Sequence, residues 1–122
     1  MSTNAIVRIK EKIGNKVVIT ELYKHYDGYI EGTGYTLLSM FMKNKNEIVI
    51  PKSTESVVLQ LVNKGYEYTI RKWTGVEYIY TIDIDNNSLE MAQCHLGKHN
   101  YIKDCIHNIN DVIKEYKKIC EM

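Results

Sequence analysis

Proline is nearly missing from this chain: Pro51 is the only one in 122 residues. No linker, internal repeat or low-complexity segment interrupts the sequence, so residues 1–122 read as a single domain with a modest core. An excess of one charge is missing as well. Lys and Arg number 16 against 15 Asp and Glu, a net +1, which gives no bulk attraction to nucleic acid or to a membrane surface. Any anion binding then has to come from a local site. No apolar run approaches the ~18 residues of a spanning helix. Met1-Ser2-Thr3-Asn4 lacks the charged-then-apolar start of a signal peptide. Cysteine is scarce and oddly placed: Cys94, Cys105 and Cys120 make an odd count at irregular spacing. That argues against a disulfide scaffold and fits a reducing compartment, so a cytoplasmic protein is expected.

What the chain does have is one crowded stretch. Residues 23–34 hold three tyrosines, a lysine, a histidine, two carboxylates and three glycines. A strand precedes it and a helix follows it. Glycines there permit positive φ and close backbone approach. A glycine-rich turn feeding a helix N-terminus aims N–H groups at one point, which suits a phosphate. Gly34 and Tyr35 stand where that helix is expected to begin, so their amides should lack intrahelical partners. The tyrosines offer flat faces and hydroxyls to a base or sugar. The stretch is neither G-x-G-x-x-G nor a P-loop, because its glycines run Gly28, Gly32, Gly34 and no Gly-Lys-Ser/Thr follows. A structural Asp-Gly turn with tyrosines lying on the sheet is the plainer alternative.

The periodicities predict an α+β fold: an antiparallel sheet of about five strands with two short helices and a long C-terminal helix. Ala5 to Lys12 and Lys16 to Lys24 form an N-terminal hairpin across Gly14-Asn15. Thr36 to Met42 is the first short helix. Glu47 to Ile50 reads as a short strand or simply an extended apolar segment, and Pro51 breaks it. Ser53 caps the second helix, Thr54 to Asn63, which Gly65 ends as a left-handed cap. Tyr66 to Arg71 and Val76 to Asp83 read as a strand pair linked through Trp73-Thr74-Gly75, and Ser88 to Gln93 completes the meander. Tyr101 to Cys120, with Asn100 as cap, reads as one long helix of about 30 Å. Its apolar stripe is long enough to cross the sheet and to serve as a dimer surface.

Other candidate chemistry is weaker. Arg71 can grip a phosphate with two parallel bonds and Trp73 can stack on a base, although both also fit an exposed hairpin end. Cys94, His95, His99, Cys105 and His107 lie close in sequence but contain no C-x-x-C pair, so no metal site is expected. Cys105 belongs to the apolar stripe and Cys94 faces the core. For catalysis, His25 and Asp27 share one side of an extended chain but sit roughly 7 Å apart along it, and Glu31 could join them only in a folded loop.

A resemblance adds to this reading. Tyr23-Lys24-His25-Tyr26-Asp27-Gly28-Tyr29, followed by Gly32-Thr33-Gly34, resembles the Tyr-Arg-His-aromatic-Asp-Gly-Tyr-Pro…Gly signature of small phage and prophage proteins. Lys24 stands where that signature has arginine, which weakens two-pronged phosphate binding. Ile30 stands where it has proline. In size and layout the chain is similar to the phage Thoeris anti-defence sponges. That resemblance implies a phage-encoded, oligomeric binding protein in the infected host's cytoplasm. It would hold a cyclic ADP-ribose isomer without cleaving it and use no cofactor. It further implies that Lys24 and the amides from Gly32 through Thr33 and Gly34 to Tyr35 hold the diphosphate. Tyr26 or Tyr29 would stack on adenine, Asp27 would accept from ribose hydroxyls, and Arg71 and Trp73 would close the pocket. A bulky residue at Gly34 should then abolish binding while leaving the fold intact. Two other classes stay open: a nucleotide-cleaving enzyme using His25 and Glu31, and an interaction protein that blocks a host enzyme by contact.

Overall fold

Residues 5–7 are apolar on both faces of a strand. Ala5, Val7 and Ile9 are fully buried on one side, and Ile6 is nearly so on the other. A strand of that kind belongs in the middle of a sheet, and that is where it lies in this computed structural model, which describes residues 3–42, 47–68, 75–96 and 101–120. The elements run β1 (Ala5–Ile13), β2 (Lys16–Lys24), a single π-helical turn (Ile30–Gly34), α1 (Tyr35–Phe41), α2 (Thr54–Asn63), β3 (Glu67–Tyr68), β4 (Tyr78–Asp83), β5 (Ser88–Leu96), β6 (Tyr101–Ile106) and α3 (Ile109–Cys120). The fold class is α+β, as expected. The six strands form one sheet in the order β3-β2-β1-β4-β5-β6.

The β1–β2 hairpin forms as the sequence predicts, with Ala5 opposite Lys24 and Ile13 opposite Lys16. Gly14 takes the left-handed conformation that the turn needs (φ +61°). The sheet is otherwise not the expected antiparallel one. β1 pairs with β4 in parallel, Ala5 beside Tyr78 and Lys10 beside Asp83. The expected partnership of Tyr66–Arg71 with Val76–Asp83 is replaced. β3 joins β2, with Tyr68 opposite Leu22, while β4 lies between β1 and β5. Burial explains the exchange. Tyr80 and Ile82 are fully buried on the helix side and Ile79 on the other side, so β4 belongs inside. Glu67 and Tyr68 are exposed and suit an edge. Arg71, Trp73 and the predicted link around them lie outside the described residues, apart from Gly75 (φ +72°).

The C-terminal segment also departs from expectation. Its first part is the strand β6, not helix, and α3 starts only at Ile109. A four-residue step such as Ile102 to Ile106 fits a helix face and a strand face equally well. The free edge of the long strand β5 decides the matter, with Ile102 pairing with His95 and Ile106 with Ala92 across a bulge at Gln93/Cys94. Asn108 caps the helix, its Oδ1 accepting from the Asn110 N–H (3.0 Å). Asn100, the expected cap, lies outside the described residues. Cys105 sits exposed on β6 instead of in a helical stripe, whereas Cys94 is buried as expected.

Among the described residues, α1, α2 and α3 cover one face of the sheet. Leu37, Leu38 and Phe41 of α1, Val57 and Leu61 of α2, and Val112 of α3 pack on the β1 and β4 residues. α2 has the predicted bounds. Ser53 Oγ accepts from the Ser56 N–H (3.3 Å), and Gly65 follows with φ +91°. Glu11 ties β1 to the start of this helix, accepting from the Thr54 hydroxyl (2.7 Å) and N–H (3.1 Å). Glu47 makes a single bridge, and residues 48–50 belong to no regular element. The opposite face of the sheet carries a smaller cluster of Ile6, Tyr23, Val76, Ile79 and Cys94. No described helix is long and apolar enough to cross a membrane.

Candidate functional site

The tyrosine- and glycine-rich loop folds on itself before it meets α1. Asp27 takes a left-handed conformation (φ +60°), which asparagine and aspartate tolerate better than other side chains. Its carbonyl accepts from the Thr33 N–H (2.8 Å) and the Thr33 hydroxyl (3.1 Å). The Gly32 N–H donates to the Tyr29 carbonyl (3.0 Å). The Tyr35 N–H donates to the Ile30 and Gly32 carbonyls. The amides expected to cradle a phosphate at Gly32, Thr33 and Tyr35 are therefore engaged inside the protein. The π-helical turn runs directly into α1, so the loop presents no bare helix end there.

The glycines have structural duties. A Cβ on Gly32 would lie 2.1 Å from the Asp27 carbonyl oxygen, and one on Gly28 would lie 2.7 Å from the Asn4 backbone. Gly28 is held at both ends: its N–H donates to the Thr3 carbonyl (2.8 Å) and its carbonyl accepts from the buried Tyr80 hydroxyl (2.6 Å). Burial raises the pKa of that phenol, so it stays a donor. Gly34 is buried against Met91, whose sulfur would be 3.1 Å from an added Cβ. A bulky residue at Gly34 would press on Met91 and Ile30, so a cost to the fold is expected beside any binding defect.

Between this loop, α1 and the end of α2 lies an open cleft of about 560 Å³. Five of the twelve sequence-predicted site residues line it: Lys24, Asp27, Tyr29, Gly32 and Tyr35. Lys24 reaches across from the end of β2. Its ammonium donates to the Lys64 carbonyl (3.5 Å) and stands 5.3 Å from the centre of the Tyr66 ring, a cation–π distance. The Tyr29 hydroxyl donates to the Asp27 carboxylate (3.4 Å). Tyr35 stacks edge-on against Tyr116 of α3, ring centres 5.2 Å apart. Burial, then Glu31 and Glu115, push its phenol pKa up.

The other predicted residues fall elsewhere. The His25 Nδ1 hydrogen-bonds the Tyr23 hydroxyl (2.9 Å), and its ring meets Tyr26 edge-on at 4.5 Å. Neither His25 nor Tyr26 lines the cleft, and Tyr26 is 60% exposed. Thr33 is buried, accepting from the Tyr66 hydroxyl (2.9 Å). Gly28 and Gly34 act through the backbone, and Arg71 and Trp73 lie outside the described residues. Among the described residues no three His, Cys, Asp or Glu side chains are placed to hold a metal ion.

Sequence reasoning missed the far wall of the cleft: Thr36, Ser39, Lys64 and Tyr66. Thr36 and Ser39 carried a usable signal, since a spacing of three puts both on one helix face. Lys64 precedes the glycine that ends α2 and so had to project near that end. Comparison with known protein families, with curated proteins and with solved structures finds no match.

Proposed function

We propose that this protein binds a phosphate-bearing ribonucleotide of the cyclic ADP-ribose class in the cleft and sequesters it without cleavage. It would be a phage-encoded anti-defence protein that blocks Thoeris immunity by holding glycocyclic ADP-ribose. The observation that carries the reading is the convergence of Lys24, Asp27, Tyr29, Gly32 and Tyr35 on one cleft. A cation, a carboxylate and aromatic walls are the groups such a ligand asks for. With the Gly32, Thr33 and Tyr35 amides engaged, phosphate binding in this reading rests on the lysines. The reading of a homo-oligomer rests on the resemblance alone, because the long helical stripe expected to form its seam is shortened to Ile109–Cys120, its first part being strand.

Two groups bear on the enzyme alternative. Glu31 lines the cleft, but His25, its intended partner, is turned to Tyr23. A sequestering protein needs tight binding; ~10 nM corresponds to about −11 kcal/mol.

The test is ligand recovery. The purified protein is incubated with glycocyclic ADP-ribose, freed of unbound ligand by filtration and heat-denatured, and the released material is chromatographed. Intact ligand in stoichiometric amount supports sequestration, whereas altered ligand makes the protein an enzyme. No retained ligand removes the nucleotide reading and favours a contact inhibitor, which would co-purify with its target.

A further inference from the structure

The polar groups around the cleft are unevenly supplied with protons. The Thr36 hydroxyl donates to the Gly32 carbonyl (3.0 Å) and the Ser39 hydroxyl to the Thr36 carbonyl (2.7 Å). The Tyr29 hydroxyl points its proton at Asp27, and the Tyr66 hydroxyl at Thr33. Each hydroxyl has one proton and two lone pairs. Once the proton is engaged, the oxygen can only accept from a ligand. Asp27 and Glu31 add carboxylate acceptors. The amides of Gly32, Thr33 and Tyr35 are engaged within the loop. The side-chain donors left on the lining are the ammonium groups of Lys24 and Lys64 and the Tyr35 hydroxyl. The Lys24 ammonium donates to the carbonyl of Lys64 itself, so that group is fixed at the end of α2. The acceptors belong to the loop and to α1.

We infer that the cleft reads its ligand by polarity. A phosphate group lies at the Lys24–Lys64 end, and a donor-rich sugar carrying a free vicinal diol lies along Asp27, Glu31, Thr36 and Ser39. This rests on the proposed nucleotide-binding function and narrows the ligand class to phosphorylated riboses with both ring hydroxyls free. A phosphate alone would leave the acceptor row without partners and would meet two carboxylates. A deoxyribose would lose a donor there, and unmet acceptors in a binding site cost affinity.

The experiment is calorimetric titration of the full chain with ADP-ribose, its deoxy analogue lacking the 2-hydroxyl of both riboses (2′,2″-dideoxy-ADP-ribose) and inorganic pyrophosphate. The wild type is compared with Lys64→Met, Thr36→Val and Glu31→Gln. ADP-ribose should bind about tenfold more tightly than its deoxy analogue, one hydrogen bond's worth, and more tightly than pyrophosphate. Lys64→Met should weaken both ADP-ribose and pyrophosphate. Glu31→Gln, at an exposed position, should weaken ADP-ribose about tenfold and leave pyrophosphate unchanged or stronger. Thr36→Val should likewise weaken ADP-ribose alone. Equal affinity for ADP-ribose and its deoxy analogue overturns the inference, as does loss of pyrophosphate binding in Glu31→Gln. Retention of glycocyclic ADP-ribose with none of these three probes bound also overturns it, while leaving the proposed function standing. Failure of all four ligands removes both.

Discussion

Asp27 combines two properties that substitutions can separate: a strained backbone and a carboxylate facing the cleft. A left-handed conformation costs an L-residue about 1–2 kcal/mol, less for aspartate and asparagine. Glycine there would relieve about 1 kcal/mol of strain but lose a similar ~0.5–1 kcal/mol through the freer unfolded chain. The net is within about 0.5 kcal/mol. Unfolding entropy near 60 °C is about 2.1 cal/mol/K per residue, so 1 kcal/mol moves Tm by about 4 °C at this length. Asp27→Gly and Asp27→Asn should therefore melt within about 2 °C of the wild type. Asp27→Ala keeps a Cβ without the local polar compensation and should melt about 4 °C lower. The two bonds from Thr33 go to the backbone carbonyl of Asp27, so the loop survives in all three variants. If the carboxylate meets the sugar, all three lose about tenfold or more in affinity. Differential scanning calorimetry and titration calorimetry read the two effects on the same samples. Asp27→Ala melting with Asp27→Gly would refute the strain argument. Wild-type affinity in Asp27→Asn would refute the carboxylate's role.

Other expectations follow from single contacts. Tyr80→Phe removes the donor to the buried Gly28 carbonyl and should cost about 1–3 kcal/mol, read as a fall in denaturation midpoint. Gly32→Ala drives a Cβ into the Asp27 carbonyl and breaks both Thr33 bonds, so it should cost about 2 kcal/mol or more and abolish binding. Gly34→Ala, which meets only side chains, those of Met91 and Ile30, should cost less; an equal loss would show that the crowding at Gly32 is not what matters. Thr54 holds the pKa of Glu11 below its ordinary value of 4.5. The stability this adds is complete above that value and is lost as pH falls through the lowered folded value. Glu11→Gln should therefore flatten the acid limb of a Tm–pH curve, and an unchanged limb would show that the Thr54 contact adds nothing.

Local signals were readable where one residue type decides the outcome. The bounds of β2 and α2, the Ser53 cap and the left-handed Gly65 all follow from neighbours within a few positions. The β1–β4 pairing does not, because a strand's partner is chosen by the whole sheet. A hint lay in Ile6 and Ile79, apolar on the face that the hairpin pattern leaves to solvent. β6 reads as helix in the sequence because its isoleucines satisfy both periods, and the free edge of β5 that settles the choice is a tertiary fact. For the site, the loop is legible in the sequence as unusual. Its glycines and amides hold the loop's own shape, and the cleft takes its second wall from α1 and the end of α2, which the loop's sequence cannot announce.

The parallel pairing of β1 with β4 has a consequence for the order in which the chain assembles. The β1–β2 hairpin needs only its own turn and can close in about 1–10 μs. The other edge of β1 must then wait, with Ile6 and Ile9 bare, until Tyr78–Asp83 arrives from far along the chain. Long loop closure slows folding, so docking of β4 is the expected slow step in refolding, and Ile79→Val should lower the stopped-flow refolding rate more than a change at Asn15 in the early turn. On a ribosome, the first strand made would be among the last to be sealed, and the half-built sheet would carry an adhesive edge in the meantime.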